Sequence, residues 1–213
     1  MKYLISFLFL VLSFSMKSEA KVTLSSILGD NMVLQQQTEV ELWGKARPNA
    51  VVTVKTSWNN RVYKSSSDGK GNWSLKVSTP VAGGPYKITF NDGELLTLQN
   101  ILIGEVWFCS GQSNMEMPMG GFDRQPVRGT NDLIAKAKPS TPIRMYTTDS
   151  KDGRWVRQFS KTPQEDCQGE WLENTPVNVS HISAVSYYFA CYIQEVLEVP
   201  VGIVVSTWGG SKV

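Results

Sequence analysis

At 213 residues the chain can hold one large domain or two small ones. Its 21 Lys and Arg against 19 Asp and Glu leave a formal net charge of +2, with both signs interspersed and no long block of either, so neither a nucleic acid nor an anionic membrane surface is expected as partner. Three cysteines, Cys109, Cys167 and Cys191, permit at most one internal disulfide, and no CxxC or Cys/His spacing marks a metal site.

The first element in chain order is a leader. Lys2 precedes the apolar run Leu4 to Leu12, which continues to Met16, and Ser18-Glu19-Ala20 places small residues where a signal peptidase reads. Residues 1–20 are therefore expected to be a signal peptide cleaved near Ala20. The run is well short of the roughly 20 residues needed to span a bilayer, so the mature chain is expected to be secreted or periplasmic, without a membrane span.

From Val22 to about Asn100 apolar residues alternate at period two. Val40 and Leu42, Val52 and Val54, Trp73, Leu75 and Val77, and Tyr86, Ile88 and Phe90 each predict a half-buried strand. Turn chemistry separates them, at Arg47-Pro48-Asn49, Asn59-Asn60, Ser67 to Gly71, Gly83-Gly84-Pro85 and Asn91-Asp92-Gly93. This spacing predicts a small antiparallel β-sandwich domain over 21–100.

After Asn100 the pattern changes to α/β. Ile101 to Cys109 is nearly continuously apolar, as a strand covered on both faces requires. A Gly/Pro/Met-rich loop (117–129), a short helix near Asp132 to Lys138 and a strand at Ile143 to Tyr146 follow. Residues 151–179 read as a long irregular connection. Ala184 to Val196 is the clearest helix, with Val185, Tyr188, Phe189, Tyr192, Ile193 and Val196 forming its apolar face, Ser180 or Ser183 as its cap and Pro200 beyond its end. Val201 to Val205 is a second buried strand. Cys109 and Cys191, both in apolar runs, are expected in the core, as is Trp107.

The run Gly104 to Glu116 ends an apolar strand in a small-residue turn, Ser110-Gly111-Gln112-Ser113-Asn114, which can present a serine hydroxyl at a sheet edge. A serine nucleophile needs a base, an orienting carboxylate and oxyanion donors. Ligands in open α/β sheets bind at the carboxyl ends of the strands, where both this turn and Thr207-Trp208-Gly209-Gly210 would sit. The single histidine, His181, stands before a helix with no acidic residue within three positions and reads as non-catalytic. Glu116 and Asp123 are the nearest acidic residues to the serine, either contacting substrate or solvating the loop.

With both loops placed, the chain resembles the sialate O-acetylesterase family of the SGNH (GDSL-like) hydrolases. Gly29 to Gln35, Trp43 to Ala46, Gly71-Asn72-Trp73 and Gly83 to Tyr86 look like its N-terminal β domain; Gly104 to Glu116, and Ser183 to Phe189 followed by Pro200 to Ser211, look like its first two catalytic blocks. The resemblance implies a flavodoxin-like three-layer α/β sheet over 101–213 and a serine carbohydrate O-acetylesterase acting on acetylated sialic acid or another acetylated glycan. It assigns Ser113 as nucleophile and Gly210, alternatively Gly209, as oxyanion donor, with no metal or organic cofactor; Gln112 and Asn114 beside the serine and Trp208 beside two glycines at a strand end are the candidate substrate contacts. Family members continue to a Gln-Gly-Glu block and a late Asp-x-x-His that supplies the base; neither occurs here. The α/β part, with three strands and about two helices, is therefore expected to be incomplete and the chain alone inactive. Two alternatives stand beside this reading: a non-catalytic glycan-binding or structural module, and an esterase for acetylated xylan or another polysaccharide.

Overall fold

A computed structural model describes residues 21–151, 154–156 and 162–210; the leader predicted over 1–20 lies outside the described residues. A three-stranded antiparallel sheet contains β1 (Thr23–Leu24), β3 (Glu39–Lys45) and β6 (Asn72–Ser78). The second sheet is eight-stranded and mixed. It is formed by β2 (Val33–Gln35), β4 (Val51–Thr56), β5 (Val62–Ser66), β7 (Gly83–Asn91), β8 (Leu95–Gly111), β9 (Ile143–Thr147), β12 (Trp171–Glu173) and β13 (Val201–Thr207), in the order β12-β9-β13-β8-β7-β4-β5 with β2 also on β8. β10 (Ser150–Lys151) and β11 (Arg154–Trp155) make a separate two-stranded ribbon. Four helices are assigned among the described residues: α1 (Ser113–Glu116), α2 (Thr130–Lys136), α3 (Pro176–His181) and α4 (Ala184–Leu197).

The alternating residues of the first hundred positions meet in one core. Leu42, Trp73 and Val77 of the small sheet pack with Val52, Val54, Ile88 and Phe90 of the large one, as period-two strands with one apolar face require. This cluster does not stop at residue 100, because it includes Ile101 and Ile103 and also Tyr146, Trp171 and Val204.

The link is β8, which runs through the expected domain boundary without a break. Its first half pairs antiparallel with β7 and its second half parallel with β13, from Glu105↔Val201 to Gly111↔Thr207. Between these halves β7 advances from Tyr86 to Ile88 while β8 advances from Leu98 to Ile101, a bulge of one residue that bends the strand. Asn100 occupies the bulge at φ 57° and donates from Nδ2 to Asn31 Oδ1 at 2.7 Å and Glu173 Oε1 at 3.1 Å. The Asp30-Asn31 turn holds the other side, with Asp30 Oδ1 accepting from Gln99 N at 2.7 Å and Asn31 N donating to Gln99 O at 3.1 Å. Immediately beyond, Gly104 lies against the chain entering β13; a Cβ there would sit 2.0 Å from the Pro200 carbonyl oxygen.

β13 is covered on both faces, as expected for a parallel strand. Val201, Ile203 and Val205 face a second core with Ile143, Met145, Ile182, Ala184, Tyr187 and Ala190, whereas Val204 faces the first. Arg144 of β9 is buried between them. Burial pushes its guanidinium pKa down, against the opposing pull of Glu173, whose Oε1 lies 3.2 Å from Nη2.

Three expectations are corrected. Residues 151–179 are not one irregular connection: β12 pairs with β9 in the register Trp171↔Tyr146, and α3 is started by Thr175, whose hydroxyl accepts from Asn178 N, with Pro176 in its first turn. These elements are three and six residues long, too short to show a period. Most of the apolar face assigned to α4 is the outer one, although Phe189 and Ile193 of that face are half-buried. Its cap is Ser183, but the helix lays Ala184, Ser186, Tyr187 and Ala190 on the sheet and leaves Val185, Tyr188, Tyr192 and Val196 exposed. Small residues allow the backbone a close approach to the strands, and periodicity alone cannot tell which face will do so. Trp107, expected in the core, is 41% exposed, and Phe108 beside it is 68% exposed; the Trp107 ring meets Phe189 of α4 edge-on at 5.0 Å. Cys109 is buried and Cys191 only half-buried, and all three cysteines are free thiols.

Gly104→Ala is expected to destabilise the fold by about 3 kcal/mol or more, since neither the strand nor the Pro200 backbone can yield cheaply; urea unfolding of the pair of proteins measures it. A second expectation concerns acid. Burial raises the Asp166 pKa, but hydrogen bonds from Ser26 and Ser25 outweigh it and hold the carboxyl below its ordinary 3.8. A depressed folded value means the stabilisation is present above pH 3.8 and lost as pH falls through the lower folded value. Asp166→Asn should therefore lower the urea midpoint at pH 7 and flatten its fall between pH 5 and 2; an unchanged acid limb would contradict the assignment.

Candidate active site

The site is built at the carboxyl ends of β8 and β13. Their parallel pairing runs out at Ser110↔Ser206 and Gly111↔Thr207, and Trp208 N extends it by donating to Gly111 O at 3.1 Å. The 112–116 turn and the 208–210 loop are thereby neighbours. Ser113 is exposed at the start of α1, and a Cβ on Gly209 would lie 3.8 Å from its Cβ.

Two clasps fix α1 although it is a single turn. Met115 Sδ accepts from Ser186 Oγ at 3.3 Å and from Ser183 Oγ at 3.6 Å, tying the turn to the start of α4. Glu116 Oε2 accepts a short hydrogen bond from Gly209 N, tying it to the loop after β13. The chain leaving α1 then zips onto the α3–α4 junction: Ala184 N donates to Met117 O, Met119 N to Ile182 O and Gly120 N to Ser180 O, each at 2.8 Å. Glu116, which the sequence left between substrate contact and solvation, here positions the loop. The serines three apart at the start of α4 were the signal for the Met115 clasp.

The remaining candidates are distributed around this centre. Gln112 precedes α1 at the cap position and Asn114 is exposed within it. Trp208 is half-buried, and Gly210 is exposed at φ 77° with open space where a Cβ would be. Asp123 is exposed in the loop beyond, 3.7 Å from Arg124. His181 is exposed at the end of α3, and no hydrogen bond joins it to Ser113 among the described residues. Cys109 is poorly suited to act as nucleophile, because burial pushes its thiol pKa up despite an opposing hydrogen bond from Ser186. Among the described residues no group of three His, Cys, Asp or Glu is placed to hold a metal ion, and no helix is long and apolar enough to cross a membrane.

Because a hydrogen bond to a charged acceptor contributes about 1.5–3 kcal/mol, Glu116→Ala should speed amide hydrogen exchange at Gly209 by about tenfold or more, with circular dichroism unchanged. Unaltered exchange would mean that the loop is held by other contacts.

No family model matches the chain. It is 26% identical to the sialate O-acetylesterases of Homo sapiens and Mus musculus over 204 residues, which is 89% of this chain but 37% and 36% of those proteins. The chain thus spans little more than a third of the length of the curated relatives it matches. Among solved structures it superposes on a carbohydrate acetylesterase from Xanthomonas citri with a TM-score of 0.79 and 32% identity, covering 90% of this chain and 41% of that one. The agreement of these sequence and structural matches makes the chain a homologue of the sialate O-acetylesterases.

Proposed function

We propose that this chain carries the nucleophile half of a carbohydrate O-acetylesterase, with Ser113 attacking the acetyl carbonyl to form an acetyl-enzyme that water hydrolyses. The observation that carries the reading is an exposed serine at the turn after β8, beside Gly209 in the loop after β13, where an added Cβ would lie 3.8 Å from the Ser113 Cβ. The Ser113 N–H and the Gly210 N–H are the proposed oxyanion donors. Gly210 is preferred because the Gly209 N–H is already committed to Glu116. Such donors are each typically worth about two to three powers of ten in rate. Gln112, Asn114 and Trp208 border the turn and are the proposed substrate contacts.

The general base is proposed to come from outside these 213 residues. His181 makes no hydrogen bond to Ser113 among the described residues, and the relatives are nearly three times as long as the segment they share with this chain. In this reading residues 101–213 form part of a three-layer SGNH-type α/β domain behind a β-sandwich. The exposed Trp107, Tyr188, Tyr192 and Val196 on the α4 side, and Phe108 on the opposite face of the sheet, are apolar surface of the kind that further chain would cover. The leader predicted at 1–20 would send the protein to the periplasm or beyond. Acetylated sialic acid is the substrate named by the curated relatives. An acetylated polysaccharide such as xylan is the second reading, favoured by the structural neighbour that is described only as a carbohydrate acetylesterase.

The 213-residue chain, folded by circular dichroism, is expected to show no turnover of an aryl acetate above background. A longer product of the same gene carrying the base should turn it over and lose more than about a thousandfold in rate on Ser113→Ala. Serine-dependent turnover by the short chain would overturn the assignment of the base to missing residues; activity retained by the longer Ser113→Ala product would overturn the nucleophile.

A further inference from the structure

A groove of about 790 Å³ lies across the three-stranded sheet, between β3, β6 and the end of β5, with the Glu165-Asp166 segment as its far wall. None of its lining residues belongs to the site around Ser113. Its volume falls within the roughly 300–1,000 Å³ usual for ligand sites.

Cross-strand register sets the lining. Trp43 of β3 stands opposite Ser74 of β6, and Lys45 opposite Asn72, so an indole face, a hydroxyl, an amide and an ammonium share one surface. Trp43 is 41% exposed although it is large and apolar. Trp73, paired with Gly44 and alternating with Asn72 and Ser74, turns its ring to the opposite face, into the core against Phe90. The hydroxyls of Ser66 and Ser74 make no hydrogen bond among the described residues, while Ser65 and Ser67 are occupied with backbone carbonyls.

Charge narrows the ligand further. The one cation among the lining residues, Lys45, is taken by Glu165 at 2.6 Å. Asp68, Glu165 and Asp166 also line the groove. Each is held below the ordinary carboxylate range: Asp68 chiefly by hydrogen bonds from Asn72, Glu165 by Lys45, and Asp166 by the serine hydrogen bonds that outweigh its burial. Three carboxylates against one paired ammonium repel an anionic ligand. The Asn72 amide Nδ2 is already given to Asp68 at 3.0 Å, and an exposed indole face with the Ser66 and Ser74 hydroxyls beside it suits the apolar face and hydroxyl rim of an uncharged sugar ring.

We propose that this groove is a binding site for neutral oligosaccharides, separate from the esterase centre and selective against sialylated glycans. It would hold the uncharged part of a glycan whether or not Ser113 is catalytic.

The test is isothermal titration of the chain with non-acetylated cellohexaose, xylohexaose and mannohexaose, and with 3′-sialyllactose as the anionic probe, using wild type, Trp43→Ala, Trp43→Phe and Ser113→Ala. At least one hexasaccharide is expected to bind. Trp43→Ala should weaken it by about tenfold or more, Trp43→Phe less, and Ser113→Ala not at all, with 3′-sialyllactose weaker than the neutral sugar. The proposal is overturned if no hexasaccharide binds, if only 3′-sialyllactose binds, or if folded Trp43→Ala binds as wild type does. Sensitivity to Ser113→Ala instead of Trp43→Ala would move the sugar to the esterase centre. Failure of the groove leaves the ester assay untouched, and the reverse also holds.

Discussion

The rest of the molecule depends on β8 remaining one strand. Seventeen residues long, it is paired antiparallel at its start and parallel at its end, so the two styles of sheet share a single hydrogen-bonded backbone. The bulge at Asn100 permits the change of direction, and its polar groups are satisfied by Asn31, Asp30 and Glu173. Glu173 in turn faces the buried Arg144. Turn, bulge and ion pair therefore form one polar network at the seam between the two cores, in which the buried Arg144 Nε is left without a partner among the described residues.

Position of the serine follows from that strand. β8 carries the chain to Gly111, and β13 runs beside it in register to Thr207, so the two loops that emerge cannot diverge far. The short α1 has little stability of its own, because a single helical turn fixes several residues for one or two hydrogen bonds. It is instead held by Met115 against α4, by Glu116 against Gly209 and by the zipped segment 117–120. Precise placement of a nucleophile on a loop needs such support from rigid elements.

The outer surfaces of the two parts differ in chemistry. Above α4 the exposed side chains Tyr188, Tyr192 and Val196 make an apolar row, with Trp107 of the strand below against Phe189, while Phe108 is exposed on the opposite face of the sheet. On the three-stranded sheet the exposed tryptophan sits among serines, an asparagine and carboxylates. The first surface suits close packing by more protein; the second suits a hydrated ligand.

Of the strands in the first hundred residues, local pattern alone determined four (β3, β4, β6 and β7) but not β1, β2 or β5; it also determined the helix at Ala184, the β13 strand and the small-residue turn carrying Ser113. Each of these is set by alternation, spacing or backbone chemistry within a few residues. The tertiary structure decided which face of α4 is inside, because close approach of Ala184 and Ala190 to the sheet competes with the larger apolar stripe and only packing resolves that contest. It decided the exposure of Trp107 and Phe108, since cover over a strand comes from elements distant in sequence. Pairing of β12 with β9, the clasp between Glu116 and Gly209 across 93 positions and the groove under Trp43 are likewise contacts between segments with no local signature. They exist only in the folded chain, where β8 joins the antiparallel and parallel parts of the large sheet into one body.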